Sequence, residues 1–348
     1  MNALDPVVTV RPLTAESRGR WDAFVAACPD ATFFHRAGWA AVIEESFGHA
    51  AHHLMAERGG VVQGVLPLVH VRSRLFGNAL VSMPFAVYGG PVASSPEALA
   101  ALDRAALALA ERLDVDHLEY RCRERLRPSW PCKDELYATF VRPLARDPQA
   151  NLSAIPRKQR AVVRKSLAAG LSAEIVEDPT GLWRIYAESV HRLGTPVFGR
   201  HYFAALKREF GSDCELLVVS AAGRPVSAVL SFYFRDTVLP YYAGGAAEAR
   251  RLNAFDFMYW DVMRRAGEAG YGWFDFGRSK RGTGAFDFKR NWGFEPSALH
   301  YEYHLRRGGD LPNLSQANPK YRLFIELWRR LPLPVANAAG PWLARSLG

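Results

Sequence analysis

The chain has 348 residues, of which 49% are hydrophobic and 23% charged, so it can bury two substantial cores and is not of a disordered class. Its formal net charge of +9 favours anionic partners: a phosphate-bearing substrate, tRNA or an anionic membrane surface. Net charge alone fits an Arg-rich surface equally well. Four scattered cysteines, Cys28, Cys122, Cys132 and Cys214, form no CxxC pair, and neither Cys122 nor Cys132 has a His or Cys neighbour at zinc-ligand spacing. No metal site is expected, and the thiols read as reduced ones in a cytoplasmic protein. Met1 to Arg11 has no basic stretch followed by an apolar core, and the apolar runs are broken well short of a membrane span.

Residues 7–11 read as a strand, and Ser17 to Ala27 as a helix presenting Trp21, Phe24 and Val25. Trp39 to Phe47 is a second short helix. His53 to Arg58, Gly59-Gly60 and Val61 to His70 form strand, turn and strand. Tyr88-Gly-Gly-Pro91 is a loop, Pro96 to Leu113 an alanine-rich amphipathic helix, and His117 to Cys122 a strand. A polar stretch from Pro143 to Ile155 marks a boundary. Beyond it Asn151 to Gly170 is helical with a bend at Pro156, and Thr180 to Leu193 and His201 to Phe210 are helices. Cys214 to Ala221 and Val226 to Phe234 form a second hairpin, and Thr237 to Ala243 is a strand. Asn253 to Ala269 is a helix, and Trp273 to Phe276 and Leu299 to Leu305 are strands. The hairpins Ala51–His70 and Cys214–Phe234 occupy matching places, as do the helices Pro96–Leu113 and Asn253–Ala269. The chain therefore reads as a duplicated α/β unit: residues 1–150, residues 151–310, and a tail, 311–348. The tail mixes Leu, Ile, Phe and Trp with Arg322, Arg329, Arg330 and Arg345, a composition that fits contact with an anionic membrane or packing on its own protein.

Three segments concentrate chemistry. Arg157, Lys158, Arg160, Arg164 and Lys165 lie within nine residues, and at helical spacing Arg157, Arg160, Arg164 and Lys165 share one face. Like charges at Arg160 and Arg164 repel, and an anion would offset that repulsion. The second segment runs from Trp273 to Phe294. A short apolar strand ends at Gly277, and a loop follows with Gly277, Gly282 and Gly284 among Arg278, Ser279, Lys280, Arg281 and Thr283. Glycine lets backbone N–H groups converge on an anion, and the hydroxyls and cations add to this. No Gly-Lys-Ser/Thr order makes it a Walker loop. Phe286 and Phe288 then read at period 2, with Asp287 and Lys289 on the other face. The third segment is Tyr241-Tyr242-Ala-Gly-Gly followed by Arg250 to Asp256, where Asn253 is either a helix cap or a substrate ligand. Leu252, Asn253 and Ala254 stand where a CoA-binding loop would want glycine. No Gly-x-Ser-x-Gly elbow occurs, and His35, His49, His52, His53 and His70 read as packed or surface residues.

Phe274-Asp-Phe-Gly-Arg-Ser-Lys, Gly282-Thr-Gly and Phe288-Lys-Arg-Asn-Trp-Gly-Phe, with the Arg160–Gly170 helix and Leu193-Gly-Thr-Pro196, resemble the FemAB family, specifically its members associated with PEP-CTERM/exosortase systems. The resemblance covers about residues 7–305. It implies tandem acetyltransferase-like (GNAT) lobes, each a mixed central sheet flanked by helices, and transfer of an acyl or aminoacyl group to an amine without a metal. It also implies that Lys289, in the Phe288-Lys289 pair, stabilises transition-state charge, as a fixed ammonium can for a developing oxyanion. Arg278, Ser279 and Lys280 would then bind a phosphate of donor or acceptor, Arg160, Arg164 and Lys165 a second anion, and Tyr242, Asn253 and Asp256 would border the acceptor. The cell-wall members carry a lysine soon after the first-lobe tryptophan, whereas Ala40 to Glu45 follow Trp39 here, and the tRNA-dependent coiled-coil insertion is missing. These departures weigh against a peptidoglycan precursor, and the resemblance to exosortase-associated members implies an exopolysaccharide or other envelope acceptor instead, in a cytoplasmic protein working at the inner membrane face. No cofactor is required, and the donor is aminoacyl-tRNA or acyl-CoA. A non-catalytic binder of tRNA or phosphoglycan is the rival reading.

Overall fold

A computed structural model describes residues 7–73, 77–312 and 319–346. In chain order the first half forms β1 (Thr9–Pro12), α1 (Arg18–Ala27), α2 (Gly38–Phe47), β2 (Ala50–Ala51), β3 (Leu54–Arg58), β4 (Val61–Leu66), β5 (Leu68–Ser73), β6 (Gly77–Ser82), β7 (Val92–Ala93), α3 (Pro96–Arg112), β8 (His117–Cys122) and β9 (Cys132–Lys133). There follow β10 (Tyr137–Pro143), α4 (Pro148–Ala154), α5 (Arg157–Leu167), β11 (Leu171–Val176), α6 (Thr180–Arg192), α7 (Arg200–Phe210), β12 (Cys214–Ala221), β13 (Arg224–Phe234), β14 (Thr237–Gly245) and α8 (Ala254–Glu268). The chain closes with β15 (Trp273–Asp275), β16 (Ser279–Lys280), α9 (Gly284–Asn291), β17 (Pro296–Ala298), β18 (His300–Leu305), α10 (Pro319–Arg330) and α11 (Leu333–Ala344).

These elements form two compact units. The first unit takes residues up to Asp134 together with Leu299–Pro312. One sheet runs β1-β3-β4-β7 and another β2-β5-β6-β8-β18-β9. Pro67, which cannot donate to a ladder, separates β4 from β5 and divides what reads as one strand. β6 and β8 are parallel, so a crossover must join them, and α3 supplies it. Ser95 caps α3, its hydroxyl accepting from the Ala98 amide at 3.2 Å, and Pro96 fits the first turn. Ala98, Ala101, Leu102, Ala106, Leu109 and Ala110 recur at helical spacing and are buried against Leu80, Leu118 and Tyr120. The histidines are packed as expected: His53 is buried, its Nδ1–H donating to the Leu68 carbonyl at 3.2 Å, and His35 Nε2 lies 2.8 Å from the Gly90 carbonyl oxygen.

The second unit is built from Glu135–Ala298 and the tail to Arg345. Its sheet runs β11-β12-β13-β14-β15-β10-β16, with β17 also on β10. β12, β13 and β14 form an antiparallel meander, α8 crosses over, and β15 returns parallel to β14. The duplication is thus visible as two crossovers, α3 and α8, each preceded by a hairpin at the matching place. The boundary differs from the one read near residue 150. Residues 135–150 belong to the second unit, because β10 pairs with β15, β16 and β17. β18, which follows β15 in sequence, pairs with β8 and β9 of the first unit. The described tail is part of the second unit, with α10 and α11 packed on α6, and leaves Leu323, Leu327, Val335 and Trp342 exposed.

A buried charge cluster ties β18 into the first unit. Glu302 is 0% exposed and accepts from the Arg127 amide at 2.6 Å and the Arg127 guanidinium at 3.2 Å; the guanidinium also pairs with Asp103 and lies 4.6 Å over the Tyr120 ring. Arg127→Ala would leave Glu302 buried and unpaired. It is expected to cost the first unit about 3–5 kcal/mol in urea unfolding, and a loss below about 1 kcal/mol would show that the cluster contributes little.

Candidate active site

β15 is only three residues long. It runs beside β14 through two register pairs, Thr237 with Trp273 and Val238 with Phe274, while β14 continues to Gly245. The two strands therefore part at the carboxyl end of β15, the place where open α/β sheets hold ligands. A bulge at Tyr241, between the pairs Leu230–Tyr242 and Ser231–Pro240, bends β14 in this stretch. Gly244 permits the close approach of α6: a Cβ there would come within 2.6 Å of the Tyr186 backbone.

The loop leaving β15 is shaped by a buried carboxylate. Asp275 is 2% exposed, and its Oδ1 accepts from the Gly277 amide at 2.7 Å and from the Thr139 hydroxyl at 3.4 Å. Gly277 has φ +65°, a conformation costly for other residues. After β16, which pairs with β10, Thr283 donates to the Lys280 carbonyl at 2.7 Å and accepts from the Phe286 amide at 3.4 Å, capping α9. The segment read at period 2 is therefore a helix. The cap and the burial of Phe286 against Phe140, 5.2 Å between ring centroids, decide it. Helical spacing brings Lys289 to the side of Phe286 rather than opposite it, and Asp287 is exposed.

Lys289 is the centre of this arrangement. Its ammonium donates to the carbonyls of Phe276 at 2.6 Å, Gly277 at 3.1 Å and Arg278 at 3.1 Å, and it stands 5.5 Å from the Phe140 ring centroid. All three N–H donors have an acceptor. Burial pushes the Lys289 pKa down to about 7, against the holding effect of Asp275, and the charge of Arg278 depresses it further. At neutral pH the group is therefore present as both ammonium and amine. Phe288 packs with Tyr259, Phe276 and Trp292.

Around this centre Arg278 lies over the Tyr137 ring at 4.5 Å. Ser279 is buried, its hydroxyl enclosed without a hydrogen-bond partner among the described residues, and Lys280 is half-buried on β16. Asp256, in the first turn of α8, accepts from Trp292 Nε1 at 3.2 Å and from the Gln159 amide of α5. Burial raises its pKa to about 6, with the two donors opposing. Asp256 is buried and links α5 and α8 to Trp292 at the end of α9.

The other expected site residues fall elsewhere. Arg160 binds the carbonyls of Ser153 at 2.9 Å and Ile155 at 3.0 Å, closing the end of α4. Arg164 and Lys165 are exposed in the last turn of α5, where a helix dipole favours cations, while the guanidinium of Arg160, one turn earlier, is turned back onto α4. Tyr242 is buried, its hydroxyl 2.9 Å from that of Tyr202, in an aromatic cluster with Tyr186, Phe198 and Phe203. Asn253 precedes α8 without a side-chain cap bond and takes φ +52°, so the left-handed turn for which glycine was wanted forms with asparagine. Sequence reasoning missed Asp275, whose signal is a carboxylate inside an apolar strand. It also missed β10, whose Tyr-Ala-Thr-Phe-Val run supplies Tyr137, Thr139 and Phe140, and it missed Gln159. A cleft of about 460 Å³ lies beside α9, lined by Asp287, Arg290, Asn291, Phe294 and Glu295, and Lys289 does not line it.

Residues 157–290, from the start of α5 to just past Lys289, match the acetyltransferase (GNAT) domain family. No curated protein matches the chain in sequence. Among solved structures, FemX is similar with a TM-score of 0.66 at 17% identity, over 84% of this chain and 97% of that one. The C-terminal domain of a protein described as a lysylphosphatidylglycerol synthetase from Agrobacterium fabrum gives 0.55 at 14% identity, over 85% and 93%. A tandem GNAT protein from the clavulanic acid biosynthesis pathway gives 0.54 at 16%, over 87% and 100%. The chain thus has the tandem GNAT fold, and residues 157–290 are similar to the acetyltransferase (GNAT) domain family.

NMR of isotopically labelled lysine is expected to show one residue, lost in Lys289→Met, titrating near pH 7. A midpoint near 10.5 would mean that the loop does not desolvate it. Because the folded pKa is the lower one, the unfolded chain holds a proton that the folded chain lacks between pH 7 and 10.5. Wild-type stability should therefore rise relative to Lys289→Met through that window.

Proposed function

We propose that this chain is a FemAB-like acyltransferase that joins an acyl or aminoacyl group to an amine of an envelope or exopolysaccharide-related substrate, in association with a PEP-CTERM/exosortase system. The observation that carries the reading is Lys289, set by α9 at the loop where β14 and β15 part, inside the stretch that matches an acetyltransferase domain. In this reaction the acceptor amine attacks the donor carbonyl carbon. The C–O bond of an aminoacyl ester or the C–S bond of a thioester breaks, and the amine proton leaves with the donor hydroxyl or thiol. Negative charge builds on the carbonyl oxygen, and the Lys289 ammonium exchanges one backbone carbonyl for that oxyanion. Arg278 and Lys280, with the Ser279 hydroxyl, bind the phosphate-bearing partner, and Arg164 and Lys165 attract it. The donor is aminoacyl-tRNA or acyl-CoA. Leu252, Asn253 and Ala254 in place of glycine favour the aminoacyl-tRNA donor, while the left-handed φ of +52° at Asn253 is a conformation that glycine also adopts. No resident cofactor or metal takes part in this reaction.

Purified protein assayed with labelled aminoacyl-tRNA and with acetyl-CoA, on amine acceptors, is expected to turn over one of them, and Lys289→Ala should lower kcat by about 10²–10³-fold with the fold intact. Wild-type turnover in Lys289→Ala would sink this role. Tight, steeply salt-dependent RNA binding with no turnover would favour a non-catalytic binder.

The proposal places the protein in the cytoplasm at the inner membrane face, held by its tail. Among the described residues no helix is long and apolar enough to cross a membrane. Exposed Leu323, Leu327 and Trp342 beside Arg329, Arg330 and Arg345 support contact with an anionic surface instead. Co-sedimentation with phosphatidylglycerol vesicles should fall at least tenfold in Leu327→Asp/Trp342→Asp, and equal binding by that variant would remove the tail from the contact.

A further inference from the structure

We propose that Cys132, Asp134 and His300 bind one divalent transition-metal ion of the zinc type in the first unit. One donor atom from each residue lies within 4.8 Å of the other two. The strand register explains why they converge. β9 and β18 are antiparallel neighbours in which Cys132 pairs with Glu302 and Lys133 with Tyr301, so the next position sets Asp134 opposite His300. Cys132 and Asp134 are two apart and share a face, as do His300 and Glu302. The intervening side chains turn away: Lys133 reaches the Tyr303 ring at 4.9 Å and the Pro312 carbonyl.

A second observation concerns His300 itself. His300 Nδ1 is enclosed and has no hydrogen-bond partner among the described residues. An enclosed ring nitrogen is an unmet donor or acceptor, which folded proteins seldom leave, and a metal would satisfy it. Glu302, opposite Cys132 in the register, is committed to Arg127, and the cation Arg125 is engaged with the carbonyls of Pro128 at 2.9 Å and Trp130 at 3.4 Å.

The donor set selects the metal class. Thiolate, imidazole and carboxylate together suit zinc, whereas magnesium and calcium take oxygen ligands. Three protein ligands leave a fourth tetrahedral position for water. Zinc's bond lengths to sulfur and nitrogen put tetrahedral donors roughly 3.5 Å apart, so small side-chain rotations close the present spacing. Binding replaces the thiol proton by the metal: the S–H bond breaks, the sulfur–metal bond forms, and the proton leaves to solvent. The sequence offered no sign of this site, since the imidazole lies far along the chain from the thiol and only the β9–β18 pairing brings them together.

The full chain, stripped with a chelator, is titrated with Zn²⁺ alone and with Co²⁺ alone. The expected result is one ion per chain, a rise in Tm with zinc, and a thiolate-to-cobalt absorption band in the near ultraviolet. Cys132→Ala should abolish the band, and His300→Ala should weaken binding at least tenfold, while Cys214→Ala changes neither. If either variant fails to fold, Asp134→Asn keeps the side-chain shape and should still weaken binding at least tenfold. The absence of stoichiometric binding, or binding that survives in Cys132→Ala and Asp134→Asn, would overturn the site.

Discussion

The second unit depends on a parallel strand pair that is allowed to fail. β14 and β15 hold register for two residue pairs and then part. A parallel pair needs a crossover, so α8 must sit on the sheet and its entry must lie near the parting. A strand that stops at Asp275 must also turn, and the turn brings three consecutive carbonyls together. Three converging carbonyl dipoles repel one another unless a cation joins them. Lys289 is that cation, and α9 exists at the helical spacing that delivers it.

The same constraint sets the electrostatics. An ammonium inside this shell loses its hydration, and the carbonyls with Asp275 replace that hydration only in part, so the affinity for its proton falls towards neutrality. Loop shape and proton occupancy are then coupled, since a neutral amine can serve at most two of the three carbonyls. Asp256 is displaced in the opposite sense by the same burial, held by Trp292 and Gln159. The candidate site is a packed polar network beside the loop from Gly277 to Gly282.

Much of the fold was legible because it is written in local patterns. The alternation in Cys214–Phe234, the alanine stripe of α3 and the Pro156 break all act over a few residues. The Phe-Asp-Phe-Gly stretch and the glycine-rich loop likewise drew attention to the candidate site. What could not be read was nonlocal. Phe286–Lys289 satisfies a two-residue period as well as a helical one, and only the Thr283 cap and the contact with Phe140 separate them. The bonds from Arg160 to the Ser153 and Ile155 carbonyls were not foreseen, because they depend on the bend at Pro156 between α4 and α5. The burial of Tyr242 was not foreseen, because the tyrosine it meets, Tyr202, comes from α7. β10 was overlooked because its partners come more than a hundred residues later.

That exchange of strands has a consequence in time. β18 lies between β8 and β9, so the sheet of the first unit stays incomplete until residues 300–305 have left the ribosome. At ordinary synthesis rates the edge of β8 waits roughly 10–30 s for its neighbour, long enough to invite a wrong pairing. Meanwhile β10 has been made early and waits for β15. The nascent chain therefore cannot mature one half at a time, and a gene cut at its apparent midpoint would encode two pieces each lacking a strand of its own sheet.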